Sequence, residues 1–76
     1  MNSAYKLFIT TKKKNSTHTH CVTFPLTQKG IHDAEDLFEN MKKEPILAKL
    51  MLFRCDRDGR LNKLRHFEQG EKNENV

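Results

Sequence analysis

His18 and His20, with Cys21 beside them, are the residues of this chain best suited by type to hold a transition metal. A strand repeats every two residues, so both imidazoles would share one side and Cys21 would face the other. A tetrahedral site needs two more ligands. His32, Cys55 and His66 are the remaining soft donors, and no CxxC or HxxxH spacing brings any of them close. The histidines therefore read as polar residues on an edge strand, and no metal is expected. Asp56-Arg57-Asp58-Gly59-Arg60 has the look of a calcium loop but has no closing glutamate, and Arg54 stands two residues before Asp56. It reads as a turn. A nucleophilic site needs a Ser or Cys beside a base. Cys21 and Cys55 read instead as small core fillers, and Glu35 and Glu39 as solvated helix carboxylates. No catalytic residue, no enzyme activity and no cofactor is expected.

The basic residues have more to offer. Lys12, Lys13 and Lys14 fall in one polar turn. Arg54, Arg57, Arg60, Lys63 and Arg65 surround a second one. Lysines in a loop neutralise phosphates, and an arginine-bearing two-stranded ribbon can enter a major groove. Lys12, Lys13, Lys14, Arg57, Arg60, Lys63 and Arg65 are thus the candidate nucleic-acid contacts. Against that use, the sequence has no helix-turn-helix, zinc-finger or paired-aromatic RNA motif, and the polar helix face begins acidic.

The elements that position these groups follow from periodicity. Residues 5–11 alternate and are rich in aromatic and β-branched types, which predicts a strand. Residues 17–24 alternate again, and the short polar link between makes the two an antiparallel hairpin. Pro25 ends the second strand. Ile31, Ala34, Leu37, Phe38 and Met41 form one helical face, with Thr27 as a cap and Pro45 stopping the helix near Lys43 or Glu44. Acids toward its start and lysines at its end would suit the helix dipole. Residues 46–54 are the most apolar stretch and read as a third strand. Asp58-Gly59 signals a hairpin, and residues 60–67 return as a fourth strand.

Length and composition set the bounds. Seventy-six residues allow one domain with a small core. No apolar run is long enough for a membrane helix, and the first residues lack the progression of a signal peptide. Two cysteines make a poor disulfide framework, which points to the cytoplasm. Residues 1–67 carry 13 basic against 7 acidic groups, which favours an anionic partner. The expected organisation is a single α+β domain over residues 1–67, with residues 68–76 as a disordered tail. Its order is β-β-α-β-β, a four-stranded, mostly antiparallel sheet with one helix packed on one face. Leu37 and Phe38 should anchor that helix on Leu7, Val22 and Leu50.

One helix covers one face. By alternation the third strand places Ala48, Leu50 and Leu52 on one side, and Leu47, Met51, Phe53 and Cys55 on the other. Phe8, Cys21, Met51 and Phe53 thus belong to the back of the sheet, with Lys6 and Lys49 among them. An apolar patch there is an interaction site. Phe8, Met51, Phe53, Arg54, Arg57 and Arg60 are the candidate contacts with another protein or with a second copy in a homodimer.

The plan resembles small bacteriophage and prophage proteins that bind and inhibit host machinery, including some anti-CRISPR proteins and inhibitors of host RNA polymerase. The resemblance lies in the hairpin from Tyr5 to Phe24, the Ala34–Phe38 helix segment and the Asp58-Gly59 hairpin. It implies a non-enzymatic protein-binding module and carries over no functional residue. The alternative expectation is a nucleic-acid-binding protein that uses the basic hairpin loops.

Overall fold

The computed structural model describes residues 3–69. Four strands and one helix follow in the order β1 (Ala4–Lys13), β2 (Ser16–Phe24), α1 (Gln28–Met41), β3 (Leu47–Cys55) and β4 (Leu61–Glu68). The strands form one antiparallel sheet in the order β2-β1-β3-β4. The fold is α+β with β-β-α-β-β order, as the periodicity implies. The long, alternating β1 and the apolar β3 take the centre, while β2 and β4 are the edges. Each of β2 and β3 is antiparallel to β1, so they run parallel to each other. Such a link needs a crossover, and α1 supplies it.

Thr27 begins the helix. Its extended backbone and its Oγ1, which accepts from the Gly30 amide at 3.0 Å, make it the N-cap. Gly30 lies inside the first turn because a Cβ there would come 1.8 Å from the Pro25 carbonyl oxygen. The helix ends at Met41, earlier than Pro45 alone implies, with Lys42 as its C-cap. The expected dipole pattern is therefore absent. The first turn holds Lys29 and no acid, and the last turn holds no base. Lys29 is offset by Asp33, four residues on, at 3.5 Å.

Leu7, Ile9, Ala34, Phe38, Leu47, Leu50 and Leu52 make the core. Phe38 is buried at its centre, while Leu37 packs at its margin with Val22. Leu47 corrects the simple alternation. A bulge slips the β1–β3 register between Thr10 and Thr11, leaving Ala48 unpaired, so Leu47 returns to the helix side. A second bulge leaves Leu64 unpaired between Leu52 and Phe53 in the β3–β4 register. Glu68 lies within β4, and the Gln69 amide donates to the Ala48 carbonyl at 2.9 Å. The strand thus runs past the expected start of a tail, and residues 70–76 of that tail lie outside the described residues.

Candidate protein-binding face

The sheet has one face under α1 and one open face. On the open face the registers build three rows. The first runs Thr23, Lys6, Phe53, Lys63. The next is Cys21, Phe8, Met51, His66, and the third is Thr19, Thr10, Lys49, Glu68. Phe8 and Phe53 sit on the two central strands as a diagonal pair. Their rings meet edge to face, with centroids 5.7 Å apart. Both are half-buried, as is Met51 between the two strands' neighbours. Phe53 has a lysine beside it on each flanking strand, Lys6 on β1 and Lys63 on β4. Leu61, opposite Cys55, extends the apolar area toward the β3–β4 turn and is 52% exposed.

The polar residues around this centre are tied together. Thr10 and Thr19 share a hydroxyl hydrogen bond at 3.0 Å. His66 Nε2 lies 3.4 Å from Glu68 Oε1. Charge is divided between the two sides of the molecule. The α1 segment carries four acids against one lysine, whereas the three rows of the open face carry Lys6, Lys49 and Lys63 against Glu68. The open face therefore presents an apolar centre with a cationic border, while the helix layer is acidic.

Phe8, Met51 and Phe53 come together as the alternation requires. Arg54 does not join them. It stands opposite Tyr5, on the helix side, with its Nε 3.0 Å from Asp56 Oδ1. Arg57 and Arg60 lie in the β3–β4 turn. The Gly59 amide closes that turn on the Asp56 carbonyl, and Gly59 has a φ of 88°. Arg60 Nε is 3.5 Å from Asp58 Oδ2. Lys12, Lys13 and Lys14 are exposed at the β1–β2 turn, at the other end of the strands. The seven candidate nucleic-acid contacts thus do not form one patch. Lys12–Lys14 and Arg57 with Arg60 occupy opposite ends, Lys63 lies on the open face, and Arg65 turns to the helix side.

Arg65 has a different task from the one its charge suggests. Its Nη2 donates to Glu39 Oε2 at 2.7 Å, and its guanidinium lies over the Phe38 ring. Arg65, with Lys42 as the lesser cause, holds the Glu39 carboxyl below the ordinary carboxylate range. The Leu64 bulge separates the roles of Lys63 and Arg65, which simple alternation would put on one face. Nothing in the local sequence marks it. Lys6 and Lys49, by contrast, follow from parity alone.

Cys21 is exposed on the open face, so it is not a core filler; Cys55 is buried. His18 and His20 fall on the helix side of β2 and are exposed, opposite Thr11 and Ile9. Among the described residues no three His, Cys, Asp or Glu side chains gather as metal ligands. Among them, too, no helix is long and apolar enough to cross a membrane.

The fold and this face define a small open-faced α+β sandwich. Comparison with known proteins finds no match to any family model, curated protein or solved structure.

Proposed function

We propose that the chain is a non-enzymatic protein-binding module whose open sheet face docks on an acidic-rimmed apolar surface of another protein. The observation that carries this reading is the Phe8–Phe53 pair with Lys6 and Lys63 on either side of Phe53. An aromatic centre supplies desolvation energy, and charged residues at the rim supply orientation and on-rate. The half-buried rings are already held by the sheet, so docking orders few side chains. The resemblance of the β-β-α-β-β plan to phage inhibitors of host machinery suggests an inhibitory role, in which docking obstructs the partner's own surface. The two free thiols support a reducing, cytoplasmic setting.

The test is affinity capture from the native host with nuclease present, using wild type and Phe53→Lys. Wild type should retain a protein that Phe53→Lys loses, with modest sensitivity to salt. Equal capture by both would overturn the open face as the site.

Nucleic-acid binding is the second reading. It is favoured by the same lysines beside two aromatic rings, since stacking and phosphate neutralisation use those residue types. The edge-to-face contact weighs against it, because each ring already occupies part of the other's surroundings. A salt titration with single-stranded DNA and RNA separates the two readings. Multi-phosphate binding weakens steeply as salt rises.

A further inference from the structure

The two edges of the sheet are built differently. β4 carries Lys63, Arg65 and the Leu64 bulge, devices that discourage pairing with another strand. β2 has none of them. Its nine residues, Ser-Thr-His-Thr-His-Cys-Val-Thr-Phe, include no Lys, Arg, Asp, Glu or Pro, and its register with β1 is unbroken. Threonine, valine and phenylalanine favour extended backbone.

The hairpin fixes which backbone groups face outward. Lys13 and Ser16 flank a two-residue turn and form the first hydrogen-bonded pair, so every second residue of β2 bonds to β1. The Lys12 amide confirms the phase, since it donates to the Ile46 carbonyl on the β3 side at 2.8 Å. Thr17, Thr19, Cys21 and Thr23 therefore direct their N–H and C=O groups away from the sheet. Among the described residues no loop or turn backbone bonds to them.

We propose that β2 pairs with β2 of a second copy, antiparallel about a two-fold axis at His20, joining two four-stranded sheets into one of eight. His20 is the midpoint of the strand, so this register leaves none of the nine residues unmatched. Thr17 meets the second copy's Thr23, Thr19 meets its Cys21, and each such pair exchanges both backbone hydrogen bonds. Threonine neighbours across strands are favourable, as the Thr10–Thr19 bond on the same face already illustrates. The antiparallel sense also keeps the two lysine tips apart. Each Lys12–Lys14 turn lies at one end of its strand, so two-fold pairing separates the tips by about nine residues of strand, roughly 30 Å. A parallel pair would bring six lysines together. The contact is isologous, and it closes at two subunits because it consumes the one unblunted edge. It is independent of open-face docking, but it would set two open faces side by side.

Sedimentation equilibrium on the full chain tests the proposal, with Thr19→Lys/Cys21→Lys as the disrupting variant. Both positions are exposed, so the variant should keep its fold, checked by circular dichroism. Wild type should sediment at twice 9.0 kDa, and the variant at 9.0 kDa. In a Cys21→Ser background, His20→Cys should cross-link to itself on mild oxidation, because non-hydrogen-bonded partners lie about 4.5 Å apart at Cα. Thr23→Cys in that background should not. A wild type that remains monomeric near millimolar concentration overturns the proposal. So does any dimer whose His20→Cys variant fails to cross-link, including one lost on Phe53→Lys, because Thr19 and Cys21 also lie on the open face and the lysine variant alone does not separate the two contacts. A monomer that instead captures an added extended peptide along β2 also overturns it.

Discussion

The Arg65 guanidinium carbon sits 4.3 Å from the centroid of the Phe38 ring. One contact thus joins the edge strand β4 to the centre of the core. The same side chain reaches Glu39, so three residues from two distant segments form a single clasp over the end of α1. The clasp explains how a buried aromatic is sealed in a domain with so little core.

Arg65→Ala should loosen the clasp without unfolding the protein. A cation–π contact at a partly exposed site contributes about 0.5–1 kcal/mol, and a domain of this size shifts about 4–8 °C per kcal/mol. The melting temperature should therefore fall by about 2–8 °C. Arg65→Lys should recover only part of it, since an ammonium does not stack as a planar guanidinium does. A melt unchanged by Arg65→Ala would mean that the side chain is not held there.

Acid should weaken the same contact. The folded state holds Glu39 below its usual range, chiefly through its hydrogen bond with Arg65. A lowered carboxyl stabilises the fold fully above its unfolded value and loses that contribution as pH falls through the folded one. The gap in melting temperature between wild type and Arg65→Ala should narrow on that acid limb. Thermal melts of both proteins from pH 7 downward provide the check, and a gap that widened would contradict the sign.

Phe38→Ala should be far more damaging. Phe38 is 1% exposed, and truncating a buried phenylalanine costs about 3–5 kcal/mol. A domain of this length has about 4–8 kcal/mol in total. The variant should keep at most about 5 kcal/mol, and its denaturant midpoint should fall by more than about a third, read by circular dichroism during denaturant titration.

Gly30→Ala reverses the usual helix rule. Alanine normally favours a helix over glycine by about 1 kcal/mol. Here the added Cβ meets three backbone atoms of Pro25, the nearest at 1.8 Å, so the helix start must move. The variant should melt lower than wild type. It should also melt below Thr27→Ala, which loses only the cap at about 1 kcal/mol.

Lys14 holds a φ of 49°, the left-handed region that side chains avoid. Lys14→Gly should be neutral to stabilising by up to about 1 kcal/mol. Lys14→Val should be destabilising, because a β-branched residue fits that region worst. Paired melts decide both.

What the sequence by itself determined was the set of elements and most of their faces. Alternation in Tyr5–Ile9 and Thr17–Phe24, the helical spacing of Ile31 to Met41 and the Asp58-Gly59 turn are local properties, and local sterics decide them. Phe8, Met51 and Phe53 on the uncovered side follow from the same parity, because one helix covers one face. Strand order and the two bulges came only from tertiary structure. A bulge depends on how two strands settle against each other, and single-strand parity cannot register it. Leu47 therefore joined the core, and Lys63 and Arg65 parted to opposite faces. The dipole pattern of α1 failed on the helix bounds: from the Thr27 cap the first turn takes Lys29 ahead of the acids, and the helix ends at Met41, before Lys42 and Lys43. Charge alone grouped seven basic residues, but the fold distributed them over two ends and two faces, since a side chain's neighbours are set by the sheet and not by its number in the chain.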